Sequence, residues 1–214
     1  MLSQRYFDRF YDWIVRPANT IKDIEKVYHF ATDAFGNTAF PLDQLKAWHD
    51  RYPEGRRLLC DGDLLLGYIS LWPIDAQQAH HFCQGTLSEK DLLPMTANQV
   101  AQQGAQHWFL SSMIIEPALR RPIKNNPIGM MLAMALNSWA ESGRLQYPVT
   151  VFTAAYSPEG EALLRRFGFD LTRSADQMVD GDPLYCRSAA NKNELFEIFA
   201  QRGIPHLFDS GSDT

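Results

Sequence analysis

Residues 107–144 read HWFLSSMIIEPALRRPIKNNPIGMMLAMALNSWAESGR, and the folding of this stretch decides the architecture. An apolar run from Trp108 to Ile115 has the length and content of a buried strand, and Glu116-Pro117 stops it. An irregular basic loop follows, with Arg120, Arg121, Lys124, Asn125 and Asn126, and opens at Ile128-Gly129-Met130 into a helical pattern. That helix carries Ile128, Leu132, Ala135, Leu136 and Trp139 on one face and ends near Gly143. A strand that delivers a basic loop to a helix N-terminus suits a phosphate or pyrophosphate. The first-turn N–H groups have no intrahelical acceptor, and the aligned peptide dipoles add partial positive charge.

Working outward, the 214-residue chain is long enough for one α/β domain with a sizeable core. Hydrophobic residues at 45% and aromatics at 12% exclude a disordered chain. A net charge of -5 argues against a broad nucleic-acid footprint while leaving room for one local basic loop. Cys60, Cys83 and Cys186 have no CxxC spacing, so neither a disulfide framework nor a zinc knuckle is expected. The first residues lack the apolar core of a signal peptide, and no run approaches the ~20 apolar residues that span a bilayer. A cytoplasmic protein without a membrane partner is the expectation.

The rest of the chain punctuates clearly. A short helix is expected over 2–12, and a brief strand over Trp13–Arg16 is stopped by Pro17. Thr20 with Asp23 three residues on reads as a helix cap. The stripe Ile21, Ile24, Val27, Tyr28, Ala31 and Phe35 follows it. A second helix runs from Pro41 to Pro53. Asp61-Gly62-Asp63 then separates two apolar runs, Arg57–Cys60 and Leu64–Ile74, as a hairpin turn does. Residues 75–106 read as a long polar connection with one short helix at 88–93. Later elements are a strand at Val149–Ala154, a helix at 157–167, strands at Phe169–Thr172 and Leu184–Arg187 around an Asp180-Gly181 turn, and a helix at 191–202. The tail 209–214 reads as disordered.

Four strings in this order resemble the GCN5-related N-acetyltransferase superfamily. They are Ile14-Val15-Arg16-Pro17-Ala18 with Asp23-Ile24, Leu66-Gly67-Tyr68-Ile69, Ile115-Glu116-Pro117-Ala118-Leu119-Arg120, and Leu163-Leu164-Arg165-Arg166-Phe167-Gly168-Phe169. The resemblance spans roughly residues 13–187. It implies a mixed central sheet of six to seven strands flanked by helices, in a single domain over 13–190. Residues 1–12 would be a helical extension, and 191–214 a C-terminal helix and flexible tail. It also implies acyl transfer from acetyl- or longer acyl-coenzyme A to a small-molecule or peptide amine, with no metal. A homodimer stays open. A non-catalytic acyl-coenzyme A sensor on the same fold is the alternative, and another phosphorylated ligand a third reading.

On this resemblance Ile114 and Ile115 offer main-chain groups to the pantetheine arm, and the Ile115 or Glu116 N–H holds the thioester oxyanion. Arg120, Arg121, Lys124, Asn125, Asn126, Ile128, Gly129 and Met130 hold the pyrophosphate. Glu116 is the candidate base, and Tyr156 and Ser157 lie near the thiol. The chain departs from the family's pattern in two places. Lys124-Asn125-Asn126-Pro127-Ile128-Gly129 stands for a loop usually richer in glycine, and Leu164 stands where many members carry a proton-donating tyrosine. His80-His81 with Cys83 is rejected as a metal site, because neighbours on a strand face opposite ways. Either imidazole could still deprotonate an amine. Trp72, Phe82, Trp108, Tyr147 and Phe152 read as core, and Cys186 as buried and inert.

Overall fold

The Asp-Gly signal at 61–63 closes the hairpin it announces. In the computed structural model, β2 (Arg56–Asp61) pairs antiparallel with β3 (Leu64–Ile74), and Gly62 turns between them at φ +56°, a conformation that costs glycine little. The structure describes residues 13–36, 40–120 and 127–201, without the side chains of Pro127, Met130 and 198–200. The helix expected over 2–12 and the tail 209–214 lie outside these residues. The other strands are β1 (Trp13–Pro17), β4 (Ala105–Ile115), β5 (Leu145–Ala154), β6 (Asp170–Arg173) and β7 (Leu184–Ala189). They form one seven-stranded sheet in the order β1-β2-β3-β4-β5-β7-β6. The β4–β5 pair is parallel, whereas β1–β2, β2–β3, β5–β7 and β6–β7 are antiparallel. A parallel step needs a crossover, and α5 (Pro127–Glu141) provides it.

The chain divides into two compact units, residues 1–70 with 112–136 and residues 71–111 with 137–214. In the first, α1 (Ile21–Phe35) starts as the Thr20/Asp23 spacing predicts. Thr20 accepts from the Asp23 N–H, and the Asp23 side chain accepts in return from the Thr20 N–H at 3.1 Å. Arg16 adds a forked ion pair to Asp23 at 2.7 and 3.2 Å. Together with α2 (Leu42–Arg51), α1 closes over a core of Ile24, Val27, Ala31, Leu45, Leu58, Tyr68 and Ile114. Each such aliphatic side chain contributes roughly 1.5–3 kcal/mol on burial. Ile21 departs from the expected stripe: at the first position of the helix it is 46% exposed.

The second unit corrects the reading of 75–106. The segment is not a loose connection, because α3 (Ala76–Cys83), a 3-10 turn at Glu89–Asp91 and α4 (Ala97–Gln103) organise it. Short caps do the work. Asp75 accepts from the Gln77 and Gln78 N–H groups, and Thr96 with Gln99 forms a capping box. Phe82 anchors α3 against Phe109 of β4 and Phe152 of β5, with ring centroids 5.3–5.5 Å apart. β5 also starts earlier than expected, at Leu145, and contains Pro148. The β4–β5 register shifts between Ala105 and His107, opposite the residue that has no N–H to donate.

The bonds of Asp23 predict an acid-sensitive step. The Arg16 guanidinium first, and then the Thr20 and Asn19 donors, hold its pKa at about 2 against 3.8 for a free side chain. The stabilisation is therefore complete above pH 3.8 and is lost as pH falls through about 2. Its full size is about 2 kcal/mol. Asp23→Ala is expected to lower unfolding free energy by about that amount at neutral pH and to change it little near pH 2. Urea titrations at both values, followed by circular dichroism, check this.

Candidate functional site

The site is built on a close approach of two strands in the first unit. A Cβ added at Gly67 of β3 would lie 2.6 Å from the Ile114 carbonyl oxygen and 3.1 Å from the Ile115 Cα. Glycine in an apolar strand thus marks a place where another backbone comes too near for a side chain. One residue earlier, the Leu66 carbonyl accepts from the Glu116 N–H at 2.7 Å. Backbone groups of successive strand residues point to opposite edges. Ile114 and Glu116 therefore face β3, and the Ile115 N–H is turned to the other edge of β4. Of the main-chain groups that the resemblance implies for Ile114, Ile115 and Glu116, the Ile115 N–H is the one turned away from β3.

Beyond Ile115 the Pro-marked stop becomes a 3-10 turn, Pro117–Leu119, in which the Glu116 carbonyl accepts from the Leu119 N–H at 2.8 Å. The turn carries Arg120 back, so that its Nε donates to the Ile115 carbonyl at 3.0 Å while the residue stays exposed. Arg121, Lys124, Asn125 and Asn126 lie outside the described residues, as does the Met130 side chain. The α5 helix of the same unit opens at Pro127, with Ile128 half-buried and Gly129 buried, and its first turn holds no acidic residue to repel an anion. Its expected apolar face is wider than the spacing suggested, since Met131 and Ala133 are buried as well as Leu132, Ala135, Leu136 and Trp139.

Buried polar groups stand behind this strand end. Burial lowers the pKa of Arg56, which donates to Ser70 Oγ at 3.0 Å, to about 10. Burial raises Tyr68, beside Gly67, to about 12, and its hydroxyl is hydrogen-bonded to Ser112 of β4. The Gly67 contact, the Leu66 acceptor and this Tyr68–Ser112 link escaped the sequence reading. A lone glycine inside β3 was the one signal for them.

Tyr156 and Ser157 belong to the second unit. Tyr156 is 45% exposed, and Ser157 caps α6 (Pro158–Arg166) by accepting from the Gly160 N–H at 3.1 Å. Leu164 is buried, so α6 presents no hydroxyl at that position. A phenol does stand against the helix elsewhere: Tyr185 of β7 donates to Glu161 at 2.5 Å and accepts from Arg165 at 2.9 Å. Burial, and then the Glu161 carboxylate, raise its pKa. His80 and His81 lie on helix α3 rather than on a strand, both exposed. Among the described residues no group of three His, Cys, Asp or Glu side chains is placed to hold a metal ion.

With this geometry in place, solved structures supply the comparison. The loading GNATL domain of CurA from Lyngbya majuscula matches 82% of this chain and 97% of its own, with TM-score 0.58 and 14% identity. Ard1 from Thermoplasma volcanium matches 84% of this chain and 99% of its own, at 0.54 and 13%. This chain has the GCN5-related N-acetyltransferase fold. Diaminobutyrate acetyltransferase EctA from Paenibacillus lautus, solved with L-2,4-diaminobutyric acid and coenzyme A, shares the fold at TM-score 0.52 and 13% identity, over 84% of this chain and 96% of that one. No protein-family profile and no curated protein sequence matches the chain. The fold is shared with these structures at 13–14% sequence identity.

The Gly67 contact can be tested directly. Gly67→Ala must push β3 and β4 apart, and is expected to cost about 1–3 kcal/mol of unfolding free energy in urea titration. An unchanged midpoint would mean that the strands have more room than the structure shows.

Proposed function

We propose that the chain transfers an acyl group from acyl-coenzyme A to an amine. The observation that carries this reading is the end of β4 in a GNAT fold. There the β3 contacts hold Ile114 and Glu116, turn the Ile115 N–H to the opposite edge, and leave Arg120 and the α5 N-terminus in the same unit. In this reading Arg120, Arg121, Lys124, Asn125, Asn126 and the opening of α5 at Ile128, Gly129 and Met130 hold the pyrophosphate. The Ile115 N–H stabilises the oxyanion. The neutral amine adds to the thioester carbonyl carbon, Glu116 accepts its proton directly or through water, and the carbon–sulfur bond breaks. A thiol of pKa ~8.5 is a fair leaving group near neutral pH, so the buried Leu164 does not forbid the step. Tyr156 is assigned to reprotonate the thiolate. One structural neighbour, solved with L-2,4-diaminobutyric acid and coenzyme A, supports an amine acceptor.

A second reading, an acyl-coenzyme A sensor without turnover, is favoured by Leu164 alone. Calorimetric titration with acetyl-coenzyme A tests what the two share. Micromolar affinity is expected, weakening by about tenfold or more, or about 1.4 kcal/mol, in the Arg120→Ala, Lys124→Ala double variant. Absence of binding to the wild type would sink both readings. Thiol release in the presence of diamines and short peptides then separates them, since a sensor releases none. Ser157 has a cap to maintain, so Ser157→Ala is expected to cost about 1 kcal/mol of stability. If the same variant binds acetyl-coenzyme A normally but abolishes thiol release, Ser157 is catalytic as well.

A further inference from the structure

The second unit brings together two cysteines that lie far apart in the chain. Cys83 is the last residue of α3, and Cys186 lies in β7 opposite Phe152 of β5 and Asp170 of β6. Phe82, next to Cys83, packs with its ring centroid 5.5 Å from that of Phe152, the residue Cys186 opposes across β5 and β7, so the two thiols are neighbours and each shifts the pKa of the other. Two consecutive residues of β6 fasten the pair from outside. Thr172 Oγ1 lies 3.5 Å from Cys186 Sγ and 3.2 Å from the Leu184 carbonyl, which shares its one proton, and Arg173 donates through Nε to the Cys83 carbonyl at 2.5 Å and through Nη2 to Gln84 at 2.7 Å. Both thiols are half-buried and free, whereas Cys60 is buried in the core of the first unit.

This arrangement differs from an inert core cysteine in three ways. The Cys186 sulfur has a thiol and a hydroxyl as neighbours, and a proton turned to it from either favours its anion. A second thiol is its neighbour. A guanidinium stands over the Cys83 end, and its charge acts on that thiol. The Cys83 thiol brings the Cys186 pKa down to about 7, while Cys186 first, and then burial, raise that of Cys83. The Cys60 thiol is pushed up by burial.

We propose that Cys83 and Cys186 form a peroxide-reactive dithiol that closes reversibly to an intramolecular disulfide, stapling the end of α3 to β7. The oxidant is hydrogen peroxide. The Cys186 thiolate attacks one peroxide oxygen, the O–O bond breaks, and hydroxide leaves and takes up a proton as water. The Cys83 sulfur then attacks the sulfur of the resulting sulfenic acid, the S–O bond breaks, and the departing hydroxide combines with the Cys83 proton as a second water. Two thiols lose two electrons, and one peroxide gains them. A small dithiol reverses the closure by exchange. The proposal stands independently of the acyltransferase reading.

The test uses the full chain, reduced and then exposed to stoichiometric hydrogen peroxide. Titratable thiols should fall from three to one. Non-reducing peptide mapping should return one linked pair, Cys83 with Cys186, and dithiothreitol should restore both. In Cys83→Ala the Cys186 sulfenic acid has no partner, and dimedone should trap it. In Cys186→Ala, oxidation of Cys83 should slow at least ~tenfold. The wild-type map decides the matter even if a variant fails to fold. Three thiols persisting, Cys60 oxidising first, a link between two molecules, or Cys186 reaching the sulfinic acid beside a free Cys83 would each overturn the proposal.

Discussion

The close approach of β3 and β4 at Gly67 is the constraint on which the candidate site depends. With no side chain at 67, the Ile114 carbonyl comes within 2.6 Å of where a Cβ would be, and the Glu116 N–H reaches the Leu66 carbonyl. These two contacts set the parity of the strand end. The alternation of backbone groups then leaves Ile115, and not its neighbours, facing away from β3. Pro117 cannot extend the strand, so the chain turns at once and Arg120 folds back onto the Ile115 carbonyl. A larger residue at 67 would disturb every later step in this series.

Charge is used locally in this protein, which is why its net value of -5 says little about any one surface. Several arginines spend their donors on backbone carbonyls. Arg57 bonds the Glu54 carbonyl, Arg173 that of Cys83, and Arg187 those of Phe167, Glu194 and Leu195. Arg16 is tied to Asp23, and Arg56 is fully buried. Cations used this way act as structural clips.

The second unit shows the same economy in the opposite sign. Ser88 and the Glu89 N–H both donate to the Asp180 carboxylate, at 2.6 and 2.7 Å. Burial first, then Asp180 and Asp182, push the Glu89 carboxyl well above its usual range. Together with Arg173 and the Val179 N–H bonded to the Gly85 carbonyl, they fasten residues 83–89 to 173–180. The polar run that reads as a connection is thus a tied segment. The cysteine pair sits at one end of the tie.

Local signals in the sequence by itself determined most elements: the Thr20/Asp23 cap, the Asp61-Gly62 hairpin, the Pro117 stop, the helix from 127 and the Gly181 turn. Each depends on residues within a few positions, where backbone geometry and capping chemistry act directly. The strand that ends at Ile115, the turn at Pro117 and the helix beyond it are legible for the same reason. α3 and α4 were not, because their caps are short and their apolar anchors few, so periodicity was too weak to see. Only the tertiary structure decided which N–H at the end of β4 faces away from β3, that Ser157 is a cap, that Leu164 is buried, that Tyr185 is held by Glu161, and that Cys83 and Cys186 are neighbours. Those facts come from contacts between distant segments, and such contacts are fixed by sheet register and packing rather than by any residue's neighbours in sequence.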